Sequence, residues 1–133
     1  MADTRTRAET EVIKTELAAA PIGPYSQAIR ANGFVFVAGE KGIDPKTGKI
    51  VSGGIAAETR QTLENIKAIL GEAGSGFDKA VQSFVYMVDL SEFARMNEVY
   101  AEYFTTNPPG RTTVGVTSLP AGARIESTVT ALA

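Results

Sequence analysis

The chain has 133 residues, with 13 Lys and Arg against 15 Asp and Glu, and it contains no His, Cys or Trp. At roughly 100 to 200 residues per domain, this length predicts one domain with its own hydrophobic core. The absence of His and Cys excludes Ser-His-Asp and Cys-His catalysis, zinc knuckles, iron–sulfur clusters and disulfide bonds. Acid and base chemistry must therefore depend on Asp, Glu, Lys, Tyr or bound water.

Nucleic acid and membranes are not predicted partners. The net charge of −2 lacks the basic excess that neutralises phosphates, and no run approaches the roughly 18 apolar residues of a membrane helix. Residues 1–10 are polar and predict a frayed tail before a single domain over 11–133, and we expect a cytoplasmic protein. No carboxylates have metal-ligand spacing, so no metal site is expected.

The first third of the chain predicts strands. A short edge strand is predicted over 11–17, followed by a loop rich in Pro and Gly. Asn32 and Gly33 separate two β-rich runs, so strands over 27–31 and 34–38 are predicted to form a hairpin with a type I′ turn. The segment IDPKTGKIV predicts a further turn.

Two helices and three strands are predicted in the remainder. Apolar residues at steps of three and four predict a helix over 55–73, with Ser52 in its cap region, and a second helix over 91–104, capped by Asp89 or Ser91. The nearly continuous apolar run KAVQSFVYMVDL predicts a central strand covered on both faces. The last strands are predicted over 111–117 and 124–131.

These elements predict an α+β fold, a mixed six-stranded sheet with two helices on one face. Alternation in the last two strands predicts a second, polar sheet face that meets another subunit, so we expect a homo-oligomer with polar clefts between subunits. The residues assigned to this polar face are Arg111, Thr113, Arg124, Glu126, Thr128 and Thr130.

Arg111 and Glu126 are the strongest candidates for chemistry. If their strands are neighbours, the pair is either a structural salt bridge at an interface or a catalytic pair. In the second interpretation, Arg111 binds a substrate carboxylate and Glu126 positions or activates water. Tyr25, in a rigid Gly-Pro-Tyr-Ser-Gln turn, is either a binding residue or a core aromatic with a wet hydroxyl.

Three further polar residues have two interpretations each. Asn97 interrupts the apolar face of the second helix, and it either caps a backbone group, which we favour, or contacts a ligand. Glu40 and Lys41 form either a surface ion pair of little energetic value or a polar wall of the cleft.

The chain resembles the RidA family (also called YjgF) of reactive intermediate deaminases over residues 20–131. The resemblance rests on motifs in the order AAAPIGPYSQAI, FVFVAG, DPKTGKIV, ETRQTLENIKAILGEAG, NEVYAEYF, PGRTTV and LPAGARIE. It implies a chorismate-mutase-like fold and a trimer with three clefts between subunits. It also implies hydrolysis of 2-enamine and 2-imine intermediates, such as 2-aminoacrylate, to 2-oxo acids and ammonia, without a cofactor.

The resemblance also implies roles for residues in this chain. Arg111 matches an arginine that holds the substrate carboxylate. Glu126 matches a glutamate that orients the attacking water, and Tyr25 matches a tyrosine that lines the cleft. Gly39 and Thr113 match positions that contact ligand, and Asn97 and Glu40 are kept as candidate substrate-binding residues.

The chain departs from the family pattern beside this site. It has Ala38, Glu40, Lys41 and Gly42 around Gly39, where the family commonly has Ser-Gly-Gln, then Ile or Leu, then Pro. We hypothesise that Glu40 and Lys41 adapt the pocket to a different imine. Two alternatives stay open. One is a non-catalytic trimer that binds small carboxylates or acts like a chaperone, and the other is an endoribonuclease or translation inhibitor.

Overall fold

A computed structural model describes residues 9–133, so the tail predicted over 1–10 lies largely outside the described residues. The strands are β1 (Glu11–Ile13), β2 (Ala28–Ala31), β3 (Phe34–Val37), β4 (Glu40–Lys41), β5 (Ala80–Met87), β6 (Gly110–Gly115) and β7 (Ile125–Leu132). The helices are α1 (Gly54–Glu72) and α2 (Phe93–Tyr103).

One mixed sheet contains all of these strands, in the order β1-β2-β3-β7-β5-β6. The short strand β4 pairs with β7 beyond the end of β3 and is the seventh strand. Strands β5 and β6 are parallel and the other pairs are antiparallel, because β5 and β6 are joined by a crossover through α2. The predicted α+β fold is confirmed, with one strand more than expected.

Both helices pack on one face of the sheet and build the core there. The predicted apolar stripe of α1 is confirmed, since Leu63, Ile66 and Leu70 are buried against strand residues such as Val35 and Val85. No helix within residues 9–133 is long and apolar enough to cross a membrane.

The predicted turn and cap residues have mixed outcomes. Asn32 and Gly33 have φ values of 51° and 83°, which confirms the type I′ signal of the hairpin. The prediction for Ser52 is wrong, because Gly53 precedes α1 with φ 117° and no side chain caps the helix. Asp89 caps the short turn Leu90–Glu92 by accepting from the Ser91 N–H, and α2 begins after that turn.

The polar sheet face was predicted wrongly in part. The registers of β5 with β6 and β7 put Arg111 and Thr113 on the helix face, whereas Glu126, Thr128 and Thr130 point to the open face. Arg124 lies outside the strands and pairs with glutamates on the helix side. The physical reason is that β5 separates β6 from β7, so the side-chain alternation of one cannot be carried over to the other.

The open face also corrects the prediction for β5. Strand β5 lies between two neighbours, as expected for a central strand, but Phe84 and Tyr86 on its open side are only half-buried within the single chain. Apolar side chains such as Phe36, 45% exposed, and Val114, 39% exposed, also lie on this face.

We expect Asn65→Ala to destabilise the fold by about 2 to 4 kcal/mol, because two buried carbonyl groups lose their donor. The Asn65 Nδ2 group donates to the carbonyls of Lys41 (3.1 Å) and Ile43 (2.9 Å) and fastens β4 to α1. Urea unfolding at a fixed protein concentration measures the change. Lys67→Ala, on the exposed side of α1, is the control and is expected within about 0.5 kcal/mol of the wild type. Equal midpoints for the two variants would contradict this role of Asn65.

Candidate active site

Two small clefts contain most of the predicted site residues. The first, here the Glu126 cleft, has a volume of about 400 Å³ and is lined by Ile22, Tyr25, Ala38, Gly39, Lys41, Pro120 and Glu126. The second, here the Arg111 cleft, has a volume of about 420 Å³ and is lined by Asn97, Tyr100, Ala101, Phe104, Pro108, Pro109 and Arg111. The predicted residues are therefore divided between two places on one chain.

Arg111 and Glu126 do not meet within the chain. Arg111 is level with Ser83 of β5 on the helix face, and Glu126 is level with Tyr86 on the open face. Their strands are two sheet positions apart, roughly 10 Å, and the side chains point to opposite sides. The predicted juxtaposition on neighbouring strands is wrong, because β5 lies between β6 and β7.

The guanidinium of Arg111 is held by aromatic rings. Its Cζ atom lies 4.6 Å from the centre of the Tyr100 ring and 5.5 Å from that of Phe93, both on α2. Within residues 9–133 it forms no ion pair with Asp or Glu. Stacking on rings fixes the plane of the group and leaves its N–H donors free for an anion.

Asn97 and Thr113 lie near this guanidinium. Asn97 lines the Arg111 cleft one helical turn before Tyr100, which favours the ligand interpretation over the cap that we preferred. Thr113 follows Arg111 by two residues on the same side of β6 and is half-buried. Both therefore lie on the side of the sheet that Arg111 occupies.

The carboxylate of Glu126 lies between a backbone and a cation. The Lys41 Nζ atom is 3.5 Å from Oε1 of Glu126 and donates to the carbonyl of Gly39 at 3.1 Å. A Cβ atom on Gly39 would lie only 2.9 Å from Cδ of Glu126, so glycine is needed for this close approach. The Lys41 side chain is only 6% exposed, which makes this a partly enclosed charge pair.

Tyr25 lies on a loop that is fixed by one buried glutamine. Gln27 Nε2 donates to the carbonyls of Thr15 (3.0 Å) and Ala19 (2.8 Å), and Gln27 Oε1 accepts from the Thr15 N–H. The Tyr25 hydroxyl accepts from the Ile22 N–H at 3.1 Å, and the ring is 40% exposed. Tyr25 is therefore a cleft residue and not a core aromatic.

Glu40 lies on the opposite side of β4 from Lys41. It is paired with Ser127 and only 5% exposed, so the interpretation of Glu40 and Lys41 as a surface ion pair is wrong. Burial raises the pKa of Glu40 to about 8, an effect that Lys41 opposes and Glu126 reinforces. At neutral pH this carboxyl group is mostly protonated.

Sequence reasoning missed two residues that position the site, Tyr100 and Gln27, neither of which is among the predicted site residues. The contact of Tyr100 with Arg111 depends on how α2 crosses β6, which no local pattern encodes. Gln27 carried a usable signal, since a long amide between a loop and an apolar strand often satisfies loop carbonyls.

A third concavity, larger than these two clefts, holds none of the predicted site residues. It measures about 850 Å³, lies along the outer side of α1, and is lined by mixed charges including Asp44, Lys46 and Glu64. Among residues 9–133, no group of three or more Asp and Glu side chains is placed to hold a metal ion. The chemistry available is therefore that of the two clefts, one with a free guanidinium and the other with a carboxylate beside an ammonium.

Comparison with known proteins gives a consistent result. The endoribonuclease L-PSP family model matches residues 15–133. A RutC family protein of Pyrococcus horikoshii is 56% identical over 116 residues, which are 87% of this chain and 92% of that protein. The human protein named 2-iminobutanoate/2-iminopropanoate deaminase is 43% identical over 115 residues, which are 86% of this chain and 84% of the human protein. The crystal structure of a Yersinia pestis Rid family protein of unknown function has a TM-score of 0.91 at 41% identity and covers 94% of this chain and 100% of that chain.

The fold and its two clefts thus define a small α+β protein of the Rid structural class. The chain belongs to the endoribonuclease L-PSP family, and the resemblance to RidA is confirmed.

We expect Gly39→Ala to displace the Glu126 carboxylate, because the new Cβ atom would lie 2.9 Å from Cδ and 3.2 Å from Cγ of that residue. A crystal structure of the variant should show Glu126 rotated away and its contact with Lys41 lost. Gly71→Ala is the control, since a Cβ atom there meets nothing within 4 Å. An unchanged Glu126 position in Gly39→Ala would show that the close approach does not hold this carboxylate.

Proposed function

We propose that this chain is an imine and enamine deaminase that hydrolyses small 2-imino acids to 2-oxo acids and ammonia. The observation that carries the proposal is a ring-stacked guanidinium that has no carboxylate partner within residues 9–133 in one cleft, and a carboxylate beside an ammonium group in the other. Relatives named as deaminases, at 40–44% identity, support it.

We further propose that the working site is composite, with Arg111 from one copy and Glu126 from its neighbour. Two groups on opposite faces of one sheet act on the same small molecule only when a second chain brings them together. A homotrimer with three clefts between subunits satisfies this requirement by closed symmetry. The exposed apolar residues of the open face, among them Phe36 and Val114, give such an assembly a surface to bury.

The division of roles follows from the chemistry of the groups. The planar guanidinium of Arg111 suits a bidentate interaction with the substrate carboxylate and fixes the imine carbon in place. Glu126 accepts a proton from the attacking water, and Tyr25 and Asn97 border the substrate from their two clefts. Thr113 and the backbone at Gly39 complete the pocket, and none of these steps requires a cofactor.

The endoribonuclease suggested by the family's name has less support in this chain. Ribonuclease chemistry commonly uses a pair of histidines, and this chain has none and carries a net charge of −2. A carboxylate-binding protein without catalysis remains the informative alternative, because the Arg111 cleft alone binds an anion.

The direct test is a coupled assay. An amino-acid oxidase generates the imine, semicarbazide competes for it, and release of the 2-oxo acid is followed. We expect the wild type to accelerate release and Arg111→Ala to lose about a hundredfold in kcat/KM, since a charge-assisted pair is worth about 3 kcal/mol. Carboxylate binding that depends on Arg111, without acceleration over several imines, would overturn the enzyme in favour of the binding protein.

A mixing experiment tests the composite site. Subunits carrying Arg111→Ala and subunits carrying Glu126→Gln are co-expressed with different affinity tags, and mixed assemblies are purified. In a trimer that contains both kinds of subunit, one of the three sites joins an intact Arg111 to an intact Glu126, so about a third of wild-type activity should return. Arg111→Ala mixed with the double variant has no intact site and is the control. No recovery above that control would show that the two residues do not act across subunits.

Tyr100 is expected to position Arg111 for the carboxylate. Tyr100→Leu removes the ring under the guanidinium and should raise the KM of the imine about fivefold with a smaller effect on kcat. Calorimetry with a small 2-oxo acid should show the same loss of affinity. Tyr100→Phe keeps the ring and should match the wild type, since the Tyr100 hydroxyl has no hydrogen-bond partner in the described residues. Equal losses in both variants would assign the effect to the hydroxyl group.

A further inference from the structure

The proposed chemistry leaves Glu40, a buried titratable group, unused. The Glu40 side chain is enclosed between β4, β7 and α1 and, within residues 9–133, forms no ion pair with Lys or Arg. A buried carboxyl group without a cation of its own is stable chiefly in its neutral form. Its side chain is thus a proton carrier placed beside the candidate site.

A small cavity beside Glu40 shares lining residues with the Glu126 cleft. It has a volume of about 10 Å³, about that of one water position, and is lined by Ala19, Ala20, Tyr25, Gly39, Glu40, Lys41 and Ile43. Tyr25, Gly39 and Lys41 also line the Glu126 cleft. Glu40 therefore lines a water-sized cavity bordered by three residues of the Glu126 cleft.

The environment of this cavity favours the protonated form of Glu40 over that of Glu126. Lys41 lies 3.5 Å from Glu126 and already compensates that carboxylate. Burial raises the pKa of Glu40 to about 8, and the nearby Glu126 charge acts in the same direction against Lys41. When two carboxyl groups have different environments, the group with the higher pKa serves as the acid and the other as the base.

The remaining ionisable groups near Glu40 do not supply a cation. Tyr25 faces it from the loop before β2. Helix α1, which packs on β4, brings Glu58, whose carboxylate accepts from the Arg124 N–H and lies 3.6 Å from the Arg124 Nε atom. The Arg124 guanidinium is thus paired on the helix side with Glu58 and Glu92.

From this arrangement we propose that Glu40 is the general acid of the composite site and protonates the substrate nitrogen through one water molecule in the small cavity. The inference rests on the proposed deaminase function and deepens it, because it assigns acid and base to different glutamates. It also gives this chain a proton donor at a position where the RidA family commonly has glutamine.

The proton balance closes over one turnover. Water attacks the imine carbon and gives a proton to Glu126, the electron pair of the C=N bond moves to nitrogen, and nitrogen takes the Glu40 proton. The carbinolamine then breaks its C–N bond as Glu126 returns its proton to the leaving nitrogen. The carbinol O–H proton passes back to Glu40, so 2-oxo acid and ammonia leave and both glutamates are restored.

Glu40→Gln tests the proposal, because glutamine has the same shape and cannot donate this proton. We expect kcat to fall about tenfold or more with KM nearly unchanged. In the wild type, kcat should fall as the pH rises through about 8, where Glu40 loses its proton, and this alkaline limb should be missing in Glu40→Gln. Glu58 is a second buried glutamate on the helix side, so Glu58→Gln is the matched control. This variant should still show the fall of kcat at alkaline pH.

Infrared spectroscopy of the assembled protein provides a readout that does not depend on turnover. A carboxylic acid C=O band should be present at neutral pH in the wild type and absent in Glu40→Gln. An ionised Glu40 at neutral pH, or an unchanged kcat and alkaline limb in Glu40→Gln while Arg111→Ala is inactive, would overturn the proposal and leave the deaminase intact. No acceleration by the wild type would overturn the deaminase itself, and this assignment with it.

Discussion

The alternation of side chains across the sheet is the constraint on which the site depends. Because β5 lies between β6 and β7, the register that buries Ser83 and Val85 under the helices also turns Arg111 toward α2 and Glu126 toward the open face. A shift of either pairing by one residue would reverse this arrangement and expose the core. The separation of the two charged groups is therefore as firmly determined as the core itself, and assembly becomes part of the proposed chemistry.

The same alternation places the two side chains of the short strand β4 on opposite faces of the sheet. Glycines on both sides allow it to approach its neighbours closely. A Cβ atom on Gly42 would lie 2.8 Å from the Glu58 backbone, and Gly39 packs on the Glu126 carboxylate. Glu40 and Lys41 thus lie on opposite sides of this strand. Glu40 is buried beside the core and lines the small cavity, and Lys41 is directed at the Glu126 cleft.

The sequence predicted what depends on local patterns. The hairpin at Asn32 and Gly33, the stripe of α1 and the run of β5 are encoded by turn geometry and periodicity over short distances. Strand β4 has two residues and no period, and its pairing partner is Glu126 and Ser127, more than 80 residues away in the chain. The order of the strands, and with it the side on which Arg111 lies, is a long-range property.

The error in the polar face has a further physical cause. Val114 and Thr112 alternate as core residues do, yet in the single chain they point to the open side. Hydrophobic patterning identifies surfaces that need covering, and it does not tell a core from an interface between subunits. Arg111 in turn was expected on the polar face with Glu126, whereas it lies on the helix face, where rings from α2 give it a partly buried position. The candidate residues were thus identifiable by type, and their grouping into two clefts was not.

Charge compensation links the two proposals. Lys41 compensates the charge of Glu126; in the proposed composite site, a substrate carboxylate would neutralise Arg111, and a protonated Glu40 would carry no charge. Buried charges are tolerated when they occur in such pairs, and a second carboxylate on the substrate would have no cation left to meet. The site is therefore electrostatically matched to a monoanion. By this argument, the replacement of an apolar residue by Lys41 does not add a second anchor for substrate, because its charge is used in holding Glu126.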